Sequence, residues 1–142
     1  MKINLYGLLL LALTGLIGCV TTTAKISVYE QIGGAEKVAE IVDNFVFEIE
    51  YDQQILAYFE GANIDRFKQK LSEQICVLTG GPCEYSGDTM EQVHTGMNIT
   101  EQHFNRTVDL LINAMNKAEV PHRLQNKVLK EMAPTRKEML YL

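Results

Sequence analysis

Four apolar stripes at helical spacing constrain this chain more than any other feature. Val38, Ile41, Val42, Phe45 and Ile49 recur at i, i+3, i+4, i+7 and i+11, one face of a helix over 35–51. Ile64, Phe67, Leu71, Ile75 and Leu78 predict a second helix over 64–79. Phe104, Val108, Leu111 and Met115 predict a third over 101–118. Leu124, Val128 and Met132 predict a fourth, which starts after Pro121 and bends near Pro134, where a backbone donor is missing. Shorter helical pieces fit at 27–32, 53–59 and 90–96. Ser27-x-x-Glu30 and Asp88-x-x-Glu91 read as capping boxes, and Thr100 as an N-cap. No segment alternates apolar and polar residues between hairpin turns, so the class is all-α.

Two glycine pairs punctuate these helices. Gly33-Gly34 follows the first short helix and Gly80-Gly81 follows the second long one, where a residue of positive φ ends a helix without strain. The stretch from Gly80 to Asp88 is not helix-forming and predicts an extended loop just before the segment that carries His94.

The first eighteen residues do not belong to this helical unit. Lys2 precedes a short apolar run that ends at Cys19, the layout of a bacterial export signal. The run falls short of the roughly 20 apolar residues a comfortable span needs. Leu16-Ile17-Gly18-Cys19 resembles a lipobox, in which the cysteine thiol takes a diacylglycerol. Acyl chains then hold a protein on a membrane, each buried methylene contributing about 0.8 kcal/mol. Val20 stands where an inner-membrane retention signal has aspartate, which favours the periplasmic face of the outer membrane. The expected organisation is a signal over 1–18, a lipidated tether over 19–26 and one domain over 27–142.

Cutting before Cys19 leaves 124 of the 142 residues and removes Lys2, so 12 basic side chains face 18 acidic ones, a balance of −6. That argues against nucleic acid, whose partners carry a clustered basic face. It also argues against charge-driven binding to anionic lipid. An apolar content of 46% is enough for one core and argues against disorder. If Cys19 is lipidated, Cys76 and Cys83 remain in an oxidising compartment, with Gly80-Gly81-Pro82 turning the chain between them. They form a disulfide, or one is buried and the other a loose thiol.

Three histidines carry the candidate chemistry. Met90, Val93 and Met97 put His94 beside or on an inward face, and a lone histidine there is most often a satisfied core residue. No second histidine at i+3 or i+4 and no Cys-x-x-Cys supports zinc. One histidine among methionines and aromatics would suit haem iron, whose porphyrin supplies four ligands. His103 is turned away from the Phe104 stripe, toward a surface or interhelix role, and His122 reads as solvated. Nucleophile elbows and phosphate-cradling glycine loops are absent.

The ordered set of motifs resembles the group I truncated haemoglobins, the 2-over-2 globins. Ser27-Val-Tyr-Glu-Gln-Ile-Gly-Gly34 is similar to that family's first helix and glycine pair. Tyr58-Phe59-Glu-Gly-Ala-Asn-Ile-Asp-Arg66 resembles its corner, and Leu78-Thr-Gly-Gly-Pro82 with Tyr85-Ser-Gly87 its extended loop. Met90-Glu-Gln-Val-His94, Gly96, Ile99-Thr100 and His103-Phe104 resemble the proximal segment and the next helix. The resemblance implies a 2-over-2 helical sandwich, haem b as cofactor, His94 as proximal iron ligand and Phe59 as the phenylalanine packed on haem. Further contacts would come from Phe45, Val46, Phe67 and Leu71 on the distal side, and from Tyr85 and Met90. The implied partners are a diatomic gas ligand, the membrane through the anchor, and a reductase or electron donor.

Departures from the family pattern bear on activity. Phe45-Val46 stands where many members have Phe-Tyr, and Leu71 where many have glutamine. Val46, Phe67 and Leu71 therefore imply a distal side without the usual hydrogen bonds. Efficient oxygen storage and nitric-oxide dioxygenation are both put in doubt, and gas binding, nitric-oxide or peroxide chemistry stay open. Gln74 at the pocket rim, Tyr51 in a shifted helix, or Lys70 as iron ligand or propionate partner are the polar groups that could compensate. Two alternatives remain: a helical lipoprotein without haem that kept the globin shape, and a gas or redox sensor acting through Cys76 and Cys83.

Overall fold

The computed structural model describes residues 25–142. The signal over 1–18, Cys19 and most of the tether lie outside the described residues. Seven α-helices follow in order: α1 (Val28–Ile32), α2 (Gly34–Glu50), α3 (Gln53–Leu56), α4 (Ile64–Leu78), α5 (Met90–His94), α6 (Glu101–Lys117) and α7 (His122–Met132). A 3-10 turn over Ala57–Phe59 extends α3, and another over Ala133–Glu138 follows α7. No described helix is long and apolar enough to cross a membrane. The chain is all-α, with α2 and α4 laid over α6 and α7 in a 2-over-2 sandwich.

The four stripes form the core. Val38, Ile41, Val42, Phe45 and Ile49 of α2 are buried against Leu110, Leu111, Ala114 and Met115 of α6. Burying each large apolar side chain contributes about 1.5–3 kcal/mol. Ile75 of α4 and Leu124 and Val128 of α7 close this core from the other side.

Local signals set the ends. Ser27 and Glu30 form the expected capping box. Gly33, at φ 113°, ends α1 and starts α2 in one residue, a turn that a side chain would strain. At the end of α4 the Gly81 N–H donates to the Cys76 carbonyl (2.7 Å) and the Gly80 N–H to that of Val77 (3.1 Å), a Schellman ending. A Cβ on Gly81 would collide with Cys76 Sγ and the Tyr29 ring, so glycine is required there for packing as well. Pro134 falls in the 3-10 turn after Met132, where the bend was expected.

One cap differs from expectation. The box at α5 is Thr89 with Gln92, whose backbone N–H donates to Thr89 Oγ1 at 3.2 Å while the Thr89 N–H donates to Gln92 Oε1 at 3.0 Å. Asp88 pairs instead with Arg66 Nη2 at 3.4 Å. Thr-x-x-Gln makes the equivalent pair of bonds one residue later, which leaves Asp88 available to α4.

Cys76 and Cys83 are joined in a disulfide. The last residues fold back beside α5: Ile99 pairs with Leu140, the Asn98 N–H donates to the Leu142 carbonyl (2.9 Å), and the Tyr141 N–H donates to that of Ile99 (3.0 Å).

Asp52 joins α3 to α6. Its Oδ1 accepts from the Gln54 and Ile55 N–H groups (3.1 and 2.9 Å) and its Oδ2 from Arg106 Nε (2.5 Å). Burial raises its pKa, but the hydrogen bonds from Arg106 and the helix start outweigh burial and hold it below its ordinary 3.8. Asp52→Ala is expected to destabilise the domain by about 1–2 kcal/mol, mostly through the lost cap, because Arg106 is partly solvated. A carboxylate with a depressed pKa stabilises above its unfolded value and loses that contribution as pH falls through the folded one. Urea denaturation should therefore show the gap between the two proteins full at pH 7 and shrinking below about pH 4.

Candidate functional site

An apolar cleft of about 190 Å³ opens between α2, the 57–59 turn and the start of α4. Its walls are Val46, Ile49, Leu56, Phe59, Ile64 and Phe67, with Glu50 as the one charged member. Phe59 and Phe67 meet edge to face, 4.8 Å between centroids, and Phe45 lies behind Phe67 at 6.4 Å. The half-buried face of α4 continues from Phe67 through Leu71 to Gln74. Gln74 Nε2 then lies 2.8 Å from Met90 Sδ, so this apolar track reaches α5. The cleft is its Phe59 end; His94, Leu71 and Met90 are outside the cleft lining.

At the other end, α5 is only five residues long and ends on His94. His94 Nδ1 is 2.6 Å from the Met90 carbonyl one turn earlier. A carbonyl only accepts, so Nδ1 carries the proton and, in the neutral ring, Nε2 holds the lone pair. Nε2 has no hydrogen-bond partner among the described residues. An imidazole fixed through one nitrogen by a backbone carbonyl, with the other open, is the arrangement a single metal-bound histidine needs. No cluster of three or more His, Cys, Asp or Glu side chains suited to a metal exists among the described residues. The described site can thus offer iron the His94 imidazole and a run of apolar and aromatic side chains. That set fits haem, which brings its own four ligands, and does not fit a bare ion.

Polar residues expected near the pocket are engaged elsewhere. Lys70 Nζ donates to both Glu73 carboxylate oxygens (3.1 and 3.0 Å) and to Ser86 Oγ (2.5 Å). The Ser86 N–H and hydroxyl donate to Glu73 Oε2 at 3.0 and 2.9 Å. The Ser86 backbone N–H and then Lys70 hold the Glu73 carboxyl down at about 2. Lys70 therefore secures the extended loop, and its ammonium is committed to a carboxylate. Tyr51 is 77% exposed at the end of α2 and packs at a tilt against Phe47, so it gives the pocket no hydroxyl. Gln74 turns toward Met90. The polar ends of Lys70, Tyr51 and Gln74 are thus engaged elsewhere or exposed, and none is hydrogen-bonded into the cleft. Tyr85 is half-buried in the loop, and its hydroxyl donates to the Asp88 carbonyl at 2.8 Å. Burial and then the Asp88 and Glu73 charges raise its pKa.

One pair escaped the sequence reading. Tyr58 Oη lies 2.6 Å from His103 Nδ1, tying the corner beside Phe59 to α6. The interhelix role expected for His103 is observed, but its partner, 45 positions away, carries no local signal. The Lys70–Glu73 spacing at i, i+3 was the one available hint of the loop lock.

Comparison with known proteins agrees with this geometry. The bacterial-like globin family model matches residues 27–141. The chain is 36% identical over 113 residues to the group 1 truncated hemoglobin GlbN of Mycolicibacterium paratuberculosis, covering 80% of this chain and 83% of that protein. It is 27% identical to a group 1 truncated hemoglobin of Tetrahymena pyriformis, covering 80% and 94%. The crystal structure of a T. pyriformis truncated hemoglobin in its Fe(III) form superposes with a TM-score of 0.79 at 26% identity, covering 82% of this chain and 100% of that one. The 2/2 hemoglobin of Synechococcus sp. PCC 7002 superposes at 0.75 with 22% identity, covering 81% and 98%, and shares the fold.

Proposed function

The chain belongs to the bacterial-like globin family, with group I truncated haemoglobins as its relatives, and on that premise we propose that it binds haem b and, through the haem iron, a diatomic gas. The observation that carries the proposal is His94, fixed through Nδ1 by the Met90 carbonyl and open at Nε2. Bound haem supplies an iron with one position left for a ligand. The chain supplies the rest. His94 would hold the iron through Nε2, Phe59 and Phe67 would pack on the macrocycle, and Val46, Phe67 and Leu71 would exclude water from the ligand side. A helical lipoprotein without haem is not favoured.

The distal side selects the ligand. A hydrogen bond to a charged or strongly polarised group contributes about 1.5–3 kcal/mol, and its absence shortens oxygen retention by about one to two powers of ten. Carbon monoxide and nitric oxide depend less on such donors, so this pocket favours them relative to oxygen. An electron donor is required to keep the iron ferrous. We place the domain in the bacterial cell envelope, carried by lipid on Cys19 at the periplasmic face of the outer membrane.

Three outcomes test this reading. The purified full chain should take up one haem with a Soret band, and His94→Ala should lose it; an unchanged band in that variant would remove His94 from the iron. Val46→Tyr should slow oxygen dissociation by about 10- to 100-fold while leaving carbon monoxide dissociation nearly unchanged. Stopped-flow rates that do not respond would show that a donor already reaches the ligand. Cys19→Ala should move the protein from the membrane fraction to the soluble one; unchanged partitioning would refute the anchor.

A further inference from the structure

We propose that α4 positions His94 through a clamp on the loop over 79–89, locked by the Cys76–Cys83 disulfide, so that haem retention responds to thiol redox state. The inference rests on the haem reading above. Four links leave α4 toward the loop and α5: Arg66 to Asp88, Lys70 and Glu73 to Ser86, Gln74 to Met90, and Cys76 to Cys83. From Arg66 they recur at i+4, i+7, i+8 and i+10, along one side of the helix.

Between Thr79 and Thr89 the chain has no helix or strand of its own, so these links decide where α5 begins. A five-residue helix does not hold itself together. Besides these links, α5 packs on the 133–138 turn. The last link reaches Met90, whose carbonyl fixes His94 Nδ1. The same helix carries Phe67 and Leu71. One element therefore sets both the distal wall and the reach of His94 toward iron.

The links are unequal. Arg66 and Asp88 are 57% and 66% exposed, and such pairs contribute little. Lys70 and Glu73 are 15% and 20% exposed, so their mutual ion pair is partly shielded, while their hydrogen bonds to Ser86 lie at the surface. The disulfide is covalent. Cys76 is 2% exposed while Cys83 is on the surface, so a small dithiol can reach the bond from the Cys83 side. One thiolate of such a reductant attacks a sulfur and breaks the bond, and its second thiol resolves the mixed disulfide. Two electrons and two protons end on the Cys76 and Cys83 thiols, and the reductant leaves as its own disulfide.

The test compares the full chain oxidised, reduced with dithiothreitol, as Cys76→Ser/Cys83→Ser, and as Glu73→Gln. Haem transfer to excess apomyoglobin, carbon monoxide association, and amide exchange of the haem-free chain are measured. Opening the disulfide should speed haem loss by about tenfold, the equivalent of about 1.4 kcal/mol. It should also change the carbon monoxide association rate and raise exchange over 83–94 but not over α6. Glu73→Gln should act in the same direction, more weakly. Equal haem loss, association and exchange in all four would overturn the clamp. If the oxidised chain takes up no haem, the haem reading fails, and exchange over 83–94 alone decides whether the clamp exists.

Discussion

The buried seam between α2 and α6 is the constraint on which the rest depends. Val38, Ile41, Val42, Phe45 and Ile49 meet Leu110, Leu111, Ala114 and Met115 with almost no solvent access. That seam, closed by Ile75, Leu124 and Val128, satisfies the apolar faces of four long helices. Met90 is the one residue of α5 that is buried. The segment bearing His94 is therefore attached to the core rather than part of it. Packing fixes the frame, and a few polar and covalent links fix the site.

This division explains how much could be read from the sequence. Helical periodicity reports burial on one face, so α2, α4 and α6 were expected at 35–51, 64–79 and 101–118 and are found at Gly34–Glu50, Ile64–Leu78 and Glu101–Lys117. Glycine pairs and Ser27-x-x-Glu30 are local devices and were legible for the same reason. Asp88-x-x-Glu91 was also a local match, but the box forms one residue later, between Thr89 and Gln92. Lys70 and Gln74 could be placed near a pocket but not aimed, because their partners, Ser86 and Met90, are each 16 residues away across an irregular loop. Tyr58 with His103 is longer-range still.

The placement of polar groups gives the site its character. Lys70, Glu73 and Gln74 are spent on holding the loop, and Tyr51 faces solvent. What remains at the cleft is apolar (Val46, Ile49, Leu56, Phe59, Ile64 and Phe67), with Glu50 as the one charged residue. A distal side of this kind cannot favour a polarised ligand over an unpolarised one by hydrogen bonding. In the proposed haem complex, specificity would then rest on shape, on access and on how His94 holds the iron.

The resonance Raman spectrum of the ferrous, ligand-free protein tests this account most directly. A five-coordinate haem with an iron–histidine stretching band is expected, since His94 is the imidazole that the described site offers and Lys70 is held by Glu73 and Ser86. A six-coordinate spectrum, showing a second side chain on the iron, would contradict it.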